Sequence, residues 1–171
     1  MSFHKIDIEK LNINPFTELG RNWALLSAGG ESGCNTMTVS WGGMGQLWNK
    51  NVITVYVRPQ RYTKEWIDKC EHLTLSFYDE TQRNTLSYLG QVSGRDEDKI
   101  TKSGLTPVFD HDTVYFEEAR LVFVCRKLSC TLIGPEDFVD SSIDGTYYPD
   151  RDYHTMYIAE ILEVLVRDES K

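Results

Sequence analysis

Arg58, Arg61, Tyr62 and Thr63 crowd into VRPQRYT (57–63), the stretch that closes the apolar run NVITVYV (51–57). Pro59 cannot continue a central ladder, so the spacing predicts a strand that stops at Arg58. Thr63 reads as the N-cap of a following helix, whose first amides lack intrahelical partners and carry the positive end of its dipole. Two guanidinium groups, two hydroxyls and a helix amino terminus at one strand end suit a phosphate monoester. The alternative is a solvated turn with surface arginines. Charge distribution favours the anion. Residues 32–64 carry Lys50, Arg58, Arg61 and Lys64 but no carboxylate, where an even spread of the 26 acids would place about five.

Two stretches upstream could build the other half of a site. NTMTVSW (35–41) and GGMGQLWNK (42–50) are rich in small residues, which let backbone approach a flat ligand. Trp41, Met44 and Trp48 could wall an aromatic ring, or could be core. Gly43 and Gly45 have Trp48 where the third glycine of a dinucleotide fingerprint belongs, and no GKS/T loop occurs. These absences argue against Rossmann-type and P-loop-type sites.

The elements that must position these residues are mostly strands. NWALLSAGG (22–30), the alternating NTMTVSW, NVITVYVR (51–58) and LTLSFYD (73–79) all read as strands, the last with Leu73, Leu75 and Phe77 on one face. The stretch 113–133 suggests two strands or one bent strand, and GGMGQLWNK reads as a loop. The tail HTMYIAEILEVLV (154–166) is ambiguous, because Ile158, Ile161, Leu162 and Leu165 fit a helical stripe while its branched residues fit a strand. Three short helices are expected. One is capped by Thr63 and buries Trp66, Ile67 and Cys70. One runs from Asp79, boxed by Gln82, to Gly90, and one is boxed by Ser93 and Asp96 and stops at Gly104. Without strand–helix alternation, the expected class is mainly β, an antiparallel barrel with short helices.

Length and composition set the outer limits. The 171 residues suit one domain, 1–171, with no repeat or linker. A net charge of −8 argues against nucleic acid and anionic membrane as partners. MSFHKIDIEK lacks an apolar signal core, and no run approaches a membrane span. Cys34, Cys70, Cys125 and Cys130 form no CxxC pair, which points to free, mostly buried thiols in a reducing cytoplasm, without a metal site.

In order along the chain, NTMTVSWGGMGQLWNK, VRPQRYT, SGRDEDKITKSGL and HTMYIAEIL resemble the flavin reductase-like branch of the FMN-binding split-barrel proteins. The resemblance runs from about Trp23 to Val166. It implies a Greek-key split barrel, a homodimer with FMN near the subunit interface, and a tail that forms a barrel strand. It also implies that Arg58, Arg61, Tyr62 and Thr63 hold the FMN phosphate. Thr36, Met37, Thr38 and Ser40 would line the isoalloxazine, flanked by Trp41. Ser93, Arg95 and Lys99 would approach the cofactor or support its phosphate, the alternative for Ser93 being helix capping. His154 is the one catalytic candidate, near the ring, its alternative role being structural.

The implied chemistry is hydride transfer from NADH or NADPH to FMN, with electrons passed to an unnamed second acceptor. Two alternatives are a non-catalytic FMN-binding electron carrier or redox sensor, and a flavin-free barrel that binds a partner. The chain departs from the family pattern at Asn51, Ala159-Glu160 and Cys34, which bears on substrate access more than on the phosphate anchor.

Overall fold

The computed structural model describes residues 2–168. Its strands are β1 (Phe3–Ile6), β2 (Ala24–Gly30), β3 (Gly33–Val39), β4 (Gly42–Leu47), β5 (Lys50–Val57), β6 (His72–Phe77), β7 (Pro107–Asp110), β8 (Thr113–Phe116), β9 (Leu121–Leu132) and β10 (Thr155–Arg167). Its helices are α1 (Pro15–Thr17), which runs into a π-helical turn (Glu18–Asn22), α2 (Tyr62–Lys69), α3 (Arg83–Gln91), α4 (Lys99–Ser103) and α5 (Ser142–Tyr147). One antiparallel sheet runs β3-β2-β6-β9-β10-β5-β4, and β1 joins it on β10; β7 and β8 form a separate hairpin.

The middle strands read as near-continuous apolar runs because both of their faces are covered. Leu73, Leu75 and Phe77 of β6 share one core with Leu121, Phe123 and Cys125 of β9. Val122 and Val124 point the other way, into a second core with Leu86 and Leu89 of α3 and with Tyr115 and Phe116 of β8. Thr74 is buried between β6 and β8, and donates its hydroxyl to the Val114 carbonyl at 2.6 Å.

The ambiguous tail is strand β10. It pairs with β9 along nearly its whole length, with β5 over Thr155–Glu160 and with β1 over Val164–Arg167. Its apparent helical stripe comes from two register shifts against β9, between Ile158 and Ala159 and between Ile161 and Glu163. A bulge interrupts the two-residue alternation on which a strand is recognised.

Several expectations need correction. GGMGQLWNK is not a loop but β4 and a two-residue turn, Trp48–Asn49, joining it to β5. Both turn residues have positive φ, 54° and 56°, the backbone of a tight hairpin. Trp48 therefore sits exposed at a hairpin tip and walls nothing. The strand ends also shift: β3 stops at Val39 and β5 at Val57. Arg61, not Thr63, occupies the N-cap of α2, with no side-chain cap. Trp66 and Cys70 are half-buried, while Ile67 is fully buried.

The Asp79–Gln82 box does not form either. Asp79 precedes a short turn of 3-10 helix, and its carboxylate accepts from Arg167 at 2.6 Å instead. The helix α3 continues one residue past Gly90. Asp98, not Ser93, caps α4, accepting from the Thr101 amide at 3.1 Å; Gly104 ends it in the left-handed region at φ 75°, as expected. Of the four cysteines, only Cys125 is fully buried, Cys34 and Cys70 are half-buried, and Cys130 is exposed. Among the described residues, no helix is long and apolar enough to cross a membrane.

Candidate functional site

The end of β3, the end of β5, the start of β10 and the amino terminus of α2 meet at one rim of the sheet. Register explains part of this, since Val57 pairs with Thr155 and so sets Arg58 beside His154. Close packing explains the rest. A Cβ on Gly90 would lie 3.1 Å from the Thr38 side chain, so α3 rests directly on β3. A Cβ on Gly94 would lie 2.4 Å from Asn35 Oδ1, so the 92–98 loop presses against the same strand.

Three cavities open along this rim. The first, of about 190 Å³, is lined by Met37, Gln60, Arg61, Tyr62, Thr63, Gln91, Val92, Ser93, Gly94 and Lys99. The second, of about 300 Å³, shares Met37 and Arg61 with it and adds Thr38, Val39, Ser40, Trp41, Tyr56, Arg58, Gly90 and His154. The third, of about 520 Å³, begins where Ser40, Trp41, Tyr56 and His154 end the second. Eleven of the thirteen site residues expected from the sequence thus line two adjoining cavities.

Thr36 and Arg95 do not. Thr36 is fully buried within the sheet, its hydroxyl 2.8 Å from that of Ser27 and 3.3 Å from the Leu26 carbonyl it donates to. Arg95 lies on the outside, over the Tyr62 ring at 4.9 Å, and binds Glu65 at 2.5 Å and the Gln60 carbonyl at 3.0 Å.

The cations of residues 32–64, together with Lys99, divide into two kinds. Arg58 is paired with Asp152 and donates to the Tyr147 carbonyl at 2.9 Å. Gln60 and Arg58 together hold the Asp152 carboxyl below its usual range. Lys50 and Lys64 likewise have carboxylates, Glu160 and Asp68, each at 2.7 Å. The acid-free window is therefore filled largely from distant parts of the chain.

Arg61 and Lys99 are different. Arg61 donates to the Gly90 carbonyl at 2.6 Å, and Lys99 donates to the carbonyls of Leu89 and Val92 at 2.9 and 3.0 Å. These bonds satisfy orphan carbonyls at the end of α3. Neither cation meets a carboxylate among the described residues, although Lys99 is only 3% exposed. Burial, and next the charge of Arg61, push the Lys99 amine down to about 8. Two like charges so placed leave the first cavity short of an anion.

Thr63 sits between these cavities and the core. It is buried and accepts a 2.8 Å hydrogen bond from Asn35 Nδ2. A Thr63→Val substitution keeps the shape but leaves that amide without its acceptor. It is expected to cost about 1–3 kcal/mol of stability, read from the urea midpoint.

Residues not anticipated from the sequence complete the rim, notably Tyr56, Gly90, Gly94, Tyr148 and Asp152. YYPDRDYH (147–154), a cluster of aromatic and acidic residues just before the tail motif, was the signal available for the last two.

A family model described as flavin reductase like domain matches residues 16–171. The chain belongs to this family. Solved structures agree on the fold. An FMN-binding domain of a flavin reductases-like enzyme from Shewanella baltica superposes with a TM-score of 0.70 at 16% identity, over 96% of this chain and 77% of that one. Flavoredoxin from Methanosarcina acetivorans gives 0.67 at 21% identity, over 94% and 76%. An FMN-binding protein from Thermus thermophilus with bound 1-cyclohex-2-enone gives 0.65 at 20% identity, over 83% and 68%. No curated protein matches the chain. The flavin reductase-like fold is thus a split barrel whose open rim carries the three cavities.

Proposed function

We propose that this flavin reductase-like domain binds FMN and serves as an NADH- or NADPH-dependent oxidoreductase. The observation that carries the reading is the pair Arg61 and Lys99, cations answered among the described residues only by carbonyls at the wall of a cavity. A phosphate monoester supplies the missing charge and can accept from both. Ser93 and Thr63 add hydroxyls beside them. Arg58, already neutralised by Asp152, is better placed to flank the ring than to anchor the phosphate.

The second cavity fits the flat part of the cofactor. Thr38 and Ser40 border it from β3 and the residue after it, and Trp41 and Tyr56 supply aromatic walls. Thr38 gives its hydroxyl proton to the Leu86 carbonyl at 2.5 Å, so its oxygen is left as an acceptor. Bound FMN would supply the redox chemistry, taking hydride from a reduced nicotinamide and passing electrons to a second acceptor. A homodimer with the cofactor near the interface, in the cytoplasm, belongs to the same reading. The exposure of Phe16 and Trp41 at the cavity mouth supports it.

The test is the visible spectrum of the purified protein, with FMN added and then NADH or NADPH under anaerobic conditions. Flavin bands that bleach with either nucleotide are expected. Bands that neither nucleotide bleaches would favour the electron carrier, the reading that the similar flavoredoxin suggests. A protein that never takes up FMN would sink both.

A further inference from the structure

A fourth cavity, of about 600 Å³, is lined by Arg83 and Leu86 of α3, whose far end borders the first two cavities. Three arginines line it, Arg21, Arg83 and Arg120, with two acids, Asp79 and Glu80. Two of these five ions are spent. Asp79 accepts from Arg167 at 2.6 Å, and Arg120 is paired with Glu18 while its Nε donates to the Tyr78 carbonyl at 3.3 Å. The outer partners, Glu18 and Arg167, cancel each other, so the cavity keeps one positive charge in excess. Arg21, Arg83 and Glu80 meet no opposite charge among the described residues.

Arg83 is held in place. Its Nη1 donates to the carbonyls of Arg21 and Asn22 at 2.6 and 3.2 Å, and its Cζ lies 3.2 Å from the centroid of the Trp23 ring. Trp23 has φ at 67°, which a bulky residue rarely adopts. Such a backbone persists only where its surroundings dictate it. Here it directly follows the π-helical turn, whose last two residues give their carbonyls to this one guanidinium. What Arg83 has left is Nε–H and Nη2–H, side by side on one edge. Neither has a protein partner among the described residues, and neither is sealed from solvent. That edge is the one with which arginine grips two oxygens of an oxyanion.

The structure assigns this cavity as a binding site for a phosphate monoester carried on a sugar, with two phosphate oxygens on Arg83, the third beside Arg21, and a neighbouring sugar hydroxyl donating to Glu80. A carboxylate has no third oxygen for Arg21. Inorganic phosphate fills little of the volume and leaves the Glu80 carboxylate facing an anion, whereas a hydroxyl between them answers both. The assignment does not depend on the reading of the other three cavities.

The probes are adenosine 2′-phosphate, ribose 5-phosphate and adenosine, titrated into the FMN-free protein and followed by the nitrogen-15 signals of its four tryptophan indoles. Trp23, under Arg83, reports this cavity; Trp66, edge-on to Tyr62 at 6.2 Å, reports the first. Trp23 is expected to shift saturably with both phosphates and not with adenosine. Arg83→Lys keeps the charge and loses the two-pronged edge, and should weaken the phosphates about tenfold or more. Arg21→Glu alters an exposed side chain without a partner, so the fold is kept, and should weaken them roughly three- to tenfold.

A Trp23 signal that no phosphate moves overturns the assignment, as does one that adenosine moves equally. So does unchanged phosphate affinity in Arg21→Glu, or in Arg83→Lys. Which sugar phosphate binds more tightly names the source. Preference for ribose 5-phosphate assigns a free sugar phosphate. Preference for adenosine 2′-phosphate assigns the adenylate end of a phosphorylated nicotinamide nucleotide, since Gly20 of the third cavity and Arg21 of this one are neighbours. That last outcome alone rests on the hydride-transfer reading. FMN uptake is measured separately: its failure with the Trp23 response intact removes the cofactor reading and leaves this site standing, and FMN uptake with Trp23 silent removes this site alone.

Discussion

Arg61→Ala is expected to weaken FMN binding by roughly 10- to 150-fold, the equivalent of about 1.5–3 kcal/mol for a charge-assisted hydrogen bond. The size follows from what surrounds the guanidinium. Its hydrogen-bond partner is the Gly90 carbonyl, and among the described residues no carboxylate competes with an incoming phosphate. Arg58→Ala should do less to phosphate affinity, because Asp152 already consumes most of that charge. Isothermal titration of FMN into both variants compares them directly. Equal losses would mean that the Asp152 pair opens on binding, and no loss at Arg61 would remove the anchor.

The same site gives a pH dependence whose two halves have opposite sign. Lys99 sits at about 8 in the folded chain, against 10.5 for an unhindered lysine. As pH rises through about 8, the amine loses its proton and FMN affinity should fall, while the phosphate, whose second ionisation lies near about 6, stays a dianion. Without FMN the folded protein moves the other way. Between those two values the unfolded chain holds more protons than the folded one, so the contribution of Lys99 to stability becomes more favourable with rising pH. Lys99→Met should flatten both profiles, and a flattened stability profile with the affinity profile unchanged would place the amine away from the phosphate.

Phe123→Ala is expected to cost about 3–5 kcal/mol of stability, the range for deleting a buried aromatic ring. Phe123 is 1% exposed and meets Phe77 edge-on, 5.6 Å between centroids with planes 71° apart. In the sheet it stands between Leu75 of β6 and Val164 of β10, so flanking strands on both sides hold the gap open. A domain stable by about 5–15 kcal/mol loses a large fraction of its reserve. The urea midpoint should fall with the slope unchanged. A loss under about 1.5 kcal/mol would show that the core collapses around the space.

The sheet was legible where both faces of a strand are covered, as in 73–77 and 121–125, because continuous apolar runs follow from that burial. It was illegible where a local rule met a longer-range demand. Thr63 has the type of an N-cap, but Asn35, far back in the sequence, claims its hydroxyl. Asp79 has the type of an N-cap too, and Arg167 claims it. The glycines of β4 look like a loop, yet Gly42 permits close contact with β5, since a Cβ there would lie 2.6 Å from the Thr54 carbonyl.

The site was legible in its cations and largely illegible in their neutralisation. Sequence spacing shows that residues 32–64 lack carboxylates and that Asp68 lies one helical turn past Lys64; only folding shows that Asp152 and Glu160 come in from far along the chain. What folding leaves over, Arg61 and Lys99, is a smaller and sharper feature than the four-cation window from which it was inferred.

Strand β10 lies between β9 and β5 and also receives β1, which ties three regions of the sequence to a segment near its end. On the ribosome, β5 is complete at residue 57 and its neighbour begins only at residue 155. At about 5–20 residues per second, β5 waits roughly 5–20 seconds with that edge unpaired. Through this interval the nascent chain is a β-sheet missing an interior strand, with the aggregation hazard of any open edge. The long wait for closure makes the binding rim, built where β5 and β10 meet, among the last parts of the molecule to exist.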